Sequence, residues 1–366
     1  MDRGDKLRFV RPTFPDPADW LDFFLPAHDA KHYTNFGPVN RRFEEALIER
    51  FAPTRRIVTT ASATAGITAV LQSLGLRGPV VMPSFTFPAT AQAVLMAGCT
   101  PMFCDCSVQT WGLDPAALNQ CLKEQPSAGV IYVRAFGFGH DLGEIETITR
   151  RHGVPLIIDA ASALGVQIDQ PSRVGLEGTA EIFSLHATKV FGIGEGGAVF
   201  IDPELERGLR MTTNFALEGT EVTGAGCNAK LSEVHAAIGL SVLQRLPDFV
   251  RHRRRVAARY HAELCGHTGI AHCWPETVSP WQCFPLMLER GLDAGEMVAR
   301  AATEDVELRR YYYLPLHQTR AFGRFAGGPL PVTEDMSPRV LCLPVYSDMT
   351  GEEQARVIEV VHGLVA

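Results

Sequence analysis

The chain has 366 residues, 46% of them hydrophobic, enough to bury one large core and a second, smaller one. Its formal net charge of −7 offers no basic surface for nucleic acid or anionic membranes. No apolar run approaches the length of a membrane span, and Met1-Asp2-Arg3-Gly4-Asp5-Lys6 lacks the apolar core of a signal peptide, so a cytoplasmic protein is expected. The nine cysteines form no CxxC pair, and their number is odd. Reduced thiols and no metal site are therefore expected.

From about residue 55 to 201, short apolar runs alternate with helical stretches. Ile57-Val58, Val80 to Met82, Pro101 to Cys104 and Val130 to Val133 read as buried strands, as do Pro155 to Ile158, Ile182 to Leu185 and Ala198 to Ile201. Amphipathic segments such as Ala65 to Leu74 and Leu142 to Arg151 fall between them. Continuous apolar strands separated by helices predict an α/β sheet covered on both faces. After Gly226, the residues Leu231, Val234, Ile238, Val242 and Leu246 recur at helical spacing and predict a long helix interrupted at Pro247. The basic run Arg251-His252-Arg253-Arg254-Arg255 that follows reads as a solvated helix face. The remainder, richer in Pro and Gly, fits a smaller α+β domain. The boundary is placed near residue 245, giving domains 1–245 (with an N-terminal arm of about 30 residues) and 246–366.

Four segments could carry chemistry. The small residues around Ser62, Ala63 and Thr64 follow a strand and open a helix, so free N–H groups could hold an anion; an ordinary helix cap by Ser62 or Thr64 explains the same residues equally well. Asp159 ends an apolar strand, where α/β proteins place ligands, although a capping or surface Asp is commoner. Lys189 lies thirty positions on, just beyond another buried strand, and could reach the same place to join an aldehyde; a randomly chosen Lys is a surface residue. His186 reads as a local hydrogen-bonding group, not a metal ligand. Gly192-Ile193-Gly194-Glu195-Gly196-Gly197 fits the dinucleotide pattern GxGxxG, but an apolar strand follows it where a dinucleotide loop must open a helix. The glycines instead permit tight turning.

Taken in order, these segments resemble the DegT/DnrJ/StrS family of fold-type-I pyridoxal-phosphate (PLP) aminotransferases, which act on nucleotide-linked keto-sugars or on keto-cyclitols. The resemblance begins at Tyr33-Thr34-Asn35-Phe36-Gly37-Pro38 and runs through Pro83 to Phe87, Asp159-Ala160-Ala161, Ser184 to Lys189 and Gly194 to Gly197. It ends with Asn228 to Glu233 and Arg310 to His317. It implies a large domain with a mixed, mostly parallel seven-stranded sheet between helices, and a smaller C-terminal α+β domain. It further implies that Lys189 carries PLP as a Schiff base and shuttles the substrate proton, and that Asp159 pairs with the ring nitrogen. Ser62, Ala63, Thr64 and Ser184 would hold the phosphate, joined by Asn228 of a neighbouring subunit in a homodimer. Phe87, or else Phe85, would stack on the ring. Asn35, Phe36, Gly37, His186, Tyr311, Tyr312, Tyr313 and His317 would lie near the substrate.

The sequence departs from the family pattern at three places. Ser162 stands where a Gln commonly contacts the ring hydroxyl, Ala63 replaces a common Gly, and Val190 replaces a frequent Asn. A dehydratase branch carries His at the lysine position; Lys189 favours transamination. The resemblance thus implies transfer of an amino group from an amino acid, L-glutamate, to a nucleotide-linked keto-sugar. A keto-cyclitol aminotransferase and a non-catalytic PLP-binding regulator are the alternatives, separated by turnover with glutamate and by comparing nucleotide-linked with free keto-substrates.

Overall fold

The seven apolar runs become the seven strands of one sheet in the computed structural model, which describes residues 6–275 and 277–365. The first five residues, part of the expected N-terminal arm, lie outside the described residues. The chain begins with α1 (Pro17–Asp29), α2 (Pro38–Phe51), β1 (Arg56–Thr60) and α3 (Ala63–Ser73). Next come β2 (Gly78–Pro83), α4 (Pro88–Met96), β3 (Cys99–Cys104), α5 (Pro115–Glu124), β4 (Gly129–Val133) and α6 (Gly143–His152). Then follow β5 (Leu156–Asp159), β6 (Ala180–Ser184), β7 (Gly197–Ile201), α7 (Glu206–Thr212) and a small hairpin of β8 (Leu217–Glu218) and β9 (Glu221–Val222). The long α8 (Glu233–Leu264) leads to β10 (Ile270–His272), β11 (Cys283–Leu288), α9 (Ala294–Thr303), α10 (Pro331–Met336), β12 (Val340–Pro344) and α11 (Gly351–Val365).

The sheet runs β1-β7-β6-β5-β4-β2-β3, and β7 alone is reversed, pairing antiparallel with both β1 and β6. Alternate residues of each strand feed two different cores. Val81, Tyr132 and Ile158 pack with α2, α5, α6 and α8, whereas Val80, Ile131 and Ile157 pack with α3 and α4. A strand buried on both sides has no polar face to show, which is why the sequence reads as unbroken apolar runs. A third core gathers the end of α8, the antiparallel sheet β10-β11-β12, α9 and α11.

Three expectations are corrected here. The helix does not break at Pro247: α8 runs continuously through it. Proline inside a helix costs about 3 kcal/mol, but Leu246, Phe249 and Val250 are buried in the first core and Val256, Ala257, Tyr260 and Leu264 beyond it are buried against the small sheet. Burial on both sides of the proline outweighs the lost backbone bond. The basic run is not wholly a solvated face either. Arg253 is buried and donates to the carbonyls of Trp281 and Val345, and Arg254 donates to those of Val166 and Ile168. Finally, not all thiols are reduced: Cys265, just past α8, and Cys273, just past β10, are joined as a disulfide with Cα atoms 5.8 Å apart. The return of the chain from helix to strand brings them together.

The end of β4 is pinned by a buried ion cluster. Arg134 Nε donates to Glu181 at 2.8 Å, its Nη2 to Glu177 and its Nη1 to the carbonyl of His140, with all three charged side chains sealed from water. The Arg134 N–H also donates to the Asp159 carbonyl, so the cluster fixes the adjacent strand end. Two buried carboxylates without their guanidinium are strongly unfavourable. Arg134→Ala is expected to lower stability by about 3–5 kcal/mol in urea unfolding; a loss below about 1 kcal/mol, that of an exposed pair, would contradict this account.

Candidate active site

Three segments meet along one row at the carboxyl edge of the sheet, where Thr60 pairs with Gly197 and Gly197 with Ser184. At the first, β1 passes into α3 through Ser62, whose Oγ accepts from the Ala65 N–H at 3.1 Å and caps the helix. Thr60 Oγ1 donates to the Ser62 carbonyl, holding the turn. A side chain on Gly197 would lie 2.7 Å from the Ala63 nitrogen and 2.6 Å from Thr60 Oγ1, so glycine there lets β7 run beside the helix start without blocking it. The result is a helix N-terminus ringed by small hydroxyl residues, a ready site for an anion.

The second segment is the hairpin from β6 to β7. Ala187 N–H donates to the Gly194 carbonyl, Leu185 N–H to Gly196, and Ile193 N–H to Leu185. Gly194 has a left-handed φ of 100°. The glycine run therefore serves the hairpin, and a strand, β7, follows it, as the sequence reading required. The hairpin tip carries Lys189 back over the sheet edge.

The third is the end of β5. Asp159 is buried, its Oδ2 accepting from Thr90 Oγ1 at 2.7 Å and its Oδ1 from the Ala161 N–H at 3.2 Å. Burial raises its pKa above the usual carboxylate value, opposed by the Thr90 and Ala161 hydrogen bonds and by the charge of Lys189. Lys189 shows the complementary effect: burial lowers its pKa to about 8, while the negative charge of Asp159 pulls it back up. Lys189 Nζ donates to Ser162 Oγ at 3.0 Å and to Gln282 Oε1 at 2.9 Å, and Ser162 Oγ donates to the same oxygen at 2.7 Å.

The aromatic residues divide cleanly. Phe85 is fully buried, edge-on to Trp111 and Tyr312, so its faces are spent in packing. Phe87 starts α4 with its side chain 56% exposed, leaving a ring face free. Tyr312 stacks on Phe136 at 5.3 Å and feels the charge of Asp159, which places it beside the site. Tyr311 accepts from Arg309, and exposed Tyr313 lies under the Arg310 guanidinium at 3.9 Å. His317 is buried between Ser84 Oγ (2.7 Å) and Glu334 Oε1 (3.0 Å), an anchoring role that leaves neither ring nitrogen for a ligand. His186 turns to Thr188 Oγ1 at 2.9 Å. Asn35 and Phe36 both have left-handed φ, and the N–H groups of Gly37, Val39 and Asn40 converge on the buried Glu233 carboxylate. A side chain on Gly37 would strike that carboxylate at 2.6 Å. Asn228 is exposed and its side chain has no partner among the described residues, while the next carbonyl, Ala229, accepts from the Ala61 N–H of the phosphate-loop candidate.

Sequence reasoning missed Thr90, Glu233 and Gln282. Thr90 sits in the first turn of α4 and belongs to no motif. Gln282 did leave a trace, as one polar residue between buried Trp281 and Cys283 at the head of an apolar strand.

The model of the DegT/DnrJ/EryC1/StrS aminotransferase family matches residues 22–362. The dTDP-4-amino-4,6-dideoxy-D-glucose transaminase of Shigella dysenteriae is 28% identical over 95% of this chain and 96% of its own length. Among solved structures, DesI in the presence of its TDP-sugar product matches with a TM-score of 0.90 and 31% identity, covering 99% of this chain and 93% of that one. NtdA of Bacillus subtilis with bound cofactor PMP gives a TM-score of 0.88 at 26% identity, covering 99% and 85%.

The residues present fit PLP. A water-poor carboxylate suits a pyridinium nitrogen, a desolvated amine suits an aldehyde, and a helix start with hydroxyls and no acid suits a phosphate. The neutral amine is the form that captures an aldehyde. Uptake of PLP by the cofactor-free protein should therefore accelerate as pH rises and level off above about 8, the value to which burial lowers Lys189. Asp159→Asn removes the charge that holds this pKa up, so the midpoint should move lower. Stopped-flow absorbance across pH checks both; a midpoint near 10.5, the ordinary lysine value, would contradict the burial argument.

Proposed function

The chain belongs to the DegT/DnrJ/EryC1/StrS aminotransferase family, a PLP-dependent one, and from that premise we propose that it aminates a nucleotide-linked keto-sugar, using L-glutamate as donor and Lys189 as the cofactor's anchor. The observation that carries this reading is the meeting of Lys189, buried Asp159 and the capped start of α3 at one edge of the sheet. The nucleotide-linked substrate is supported by two relatives, one named as a dTDP-sugar transaminase and one solved with a TDP-sugar product.

When bound, PLP supplies an electron sink for the pair left behind as a substrate C–H proton departs. Everything else falls to the chain. Asp159, whose charged form the Thr90 and Ala161 hydrogen bonds favour against its burial, would pair with the protonated ring nitrogen that makes the sink effective. Lys189 holds the cofactor between turnovers and, once freed, moves the substrate proton through Nζ, with a pKa near working pH suited to both taking and giving it. Ser62, Ala63, Thr64 and Ser184 hold the phosphate, and the free face of Phe87 covers the ring. We place Tyr312 at the substrate side through its proximity to Asp159, and the reaction in the cytoplasm, where glutamate and nucleotide sugars are available.

Borohydride reduction of the yellow protein followed by peptide mapping should find the cofactor on Lys189; label on another lysine overturns the anchor. With L-glutamate, a nucleotide-linked keto-sugar should turn over at least about tenfold better, in kcat/KM, than the same sugar free. Preference for a free keto-cyclitol would overturn the substrate class.

The partner in this reading is a second copy of the chain, with Asn228 completing the phosphate site across a two-fold interface; its exposed, unpartnered side chain is the support. Lys189→Ala and Asn228→Ala should each be inactive at limiting PLP. Co-refolded, they form mixed dimers with one intact site, and activity should return to about a quarter of wild type. If mixing restores nothing, Asn228 serves its own chain.

A further inference from the structure

Ser162 stands at the position from which the family resemblance implies a contact to the ring hydroxyl, yet its one hydroxyl proton is already committed. A serine has one O–H to donate, and that of Ser162 goes to Gln282 Oε1 at 2.7 Å while its oxygen accepts from Lys189 Nζ. Gln282 has a different inventory. Lysine ammonium and this serine hydroxyl are both donors toward its oxygen, which settles that Oε1 faces them and leaves the two Nε2 protons free; no described residue accepts from Nε2. In PLP the aldehyde and the hydroxyl stand on adjacent ring carbons. An amide held within hydrogen-bond distance of the amine that takes the aldehyde is therefore within reach of the hydroxyl oxygen.

We propose that Gln282, reaching over from the small domain, supplies the donor to the PLP ring hydroxyl and, through Oε1 and Ser162, orients Lys189. The proposal rests on PLP being anchored at Lys189. The backbone around Gln282 is fixed for this task. Trp281 is fully buried, its carbonyl accepts from Arg253 at 2.9 Å and its N–H donates to Ser279 Oγ, while Cys283 is paired in β11 with Pro344 of β12. With its backbone so fixed, the carboxamide is held by the two donors on Oε1, Lys189 Nζ and Ser162 Oγ. The large domain thus presents an amine and a serine, and the small domain completes the contact set with one carboxamide.

The test uses the PLP-loaded protein and reads the visible absorption band against pH. A hydrogen bond donated to the ring oxygen draws negative charge away from the neighbouring protonated nitrogen, so that proton leaves more easily. Gln282→Met keeps the volume and removes the donor; the midpoint of the band should rise by about one pH unit. The dissociation constant for PLP should rise about fivefold, the loss of one hydrogen bond. Because Ser162 Oγ lies 2.7 Å from Oε1, an amide on the longer side chain of glutamine at 162 can approach the same ring oxygen from beside the methionine. Ser162→Gln combined with Gln282→Met should return both values toward wild type, which a merely structural role for Gln282 would not allow. A wild-type protein without a titrating visible band would remove the PLP anchor and this proposal with it. A normal wild-type band with midpoint and affinity unchanged in Gln282→Met, or changed but not rescued by Ser162→Gln, overturns the proposal for Gln282 alone.

Discussion

A buried carboxyl and a partly buried amine that attract one another at the edge of a sheet set the terms for the rest of this molecule. Asp159 and Lys189 each resist burial, and each reduces the cost for the other. Keeping them together requires a strand that stops at the right residue, a hairpin tight enough to bring the lysine back, and a glycine at 197 so that β7 does not obstruct the helix start beside them. The Arg134 cluster belongs to the same requirement, because it ties β4 to the carbonyl of Asp159 and keeps that strand end from drifting.

The strands of the seven-stranded sheet were legible because both its faces are covered, so each strand announces itself as a local apolar run. Asp159 and Lys189, which we propose carry the chemistry, follow two of those runs and so stood out with them. What could not be read was long-range. Pro247 is a local stop signal overruled by two cores that form on either side of it. Arg253 looks like its exposed neighbour Arg255, and only the open carbonyls of Trp281 and Val345, about thirty and ninety positions away, make it a buried residue. Gln282 meets Lys189 across 93 positions. The disulfide between Cys265 and Cys273 was hidden differently: its partners are close in sequence, but their pairing depends on the chain returning after α8, which composition does not show.

The helix α8 joins the core of the seven-stranded sheet to that of the three-stranded one. Its first half packs against α1 and α2, and its capping Ser232 and buried Glu233 follow directly on the segment whose Ala229 carbonyl accepts from the Ala61 N–H. Its second half enters the small core, and Arg253 on that half grips the backbone next to Gln282. One helix therefore touches both the start of α2 and the backbone next to Gln282, which meets the lysine. Glu233 also explains why Asn35 and Phe36 can hold left-handed backbone angles: three N–H groups of the following turn are fastened to one buried carboxylate, which over-determines the segment.

The buried carboxylate makes the cofactor part of the folding problem as well as of the chemistry. Burial raises the folded-state pKa of Asp159 above its unfolded value. Below the unfolded value the group is protonated in both states and contributes nothing. As pH rises through the window between the two values, the unfolded chain releases its proton first, and stability falls. At neutral pH the cofactor-free fold therefore carries a penalty at this residue that Lys189 and Thr90 offset in part. A pyridinium nitrogen opposite the carboxylate would cancel the remainder. Because any ligand bound by the folded state alone shifts the equilibrium toward it, a cofactor ring paired with Asp159, as proposed, would link its own retention to the integrity of the fold around the seven-stranded sheet.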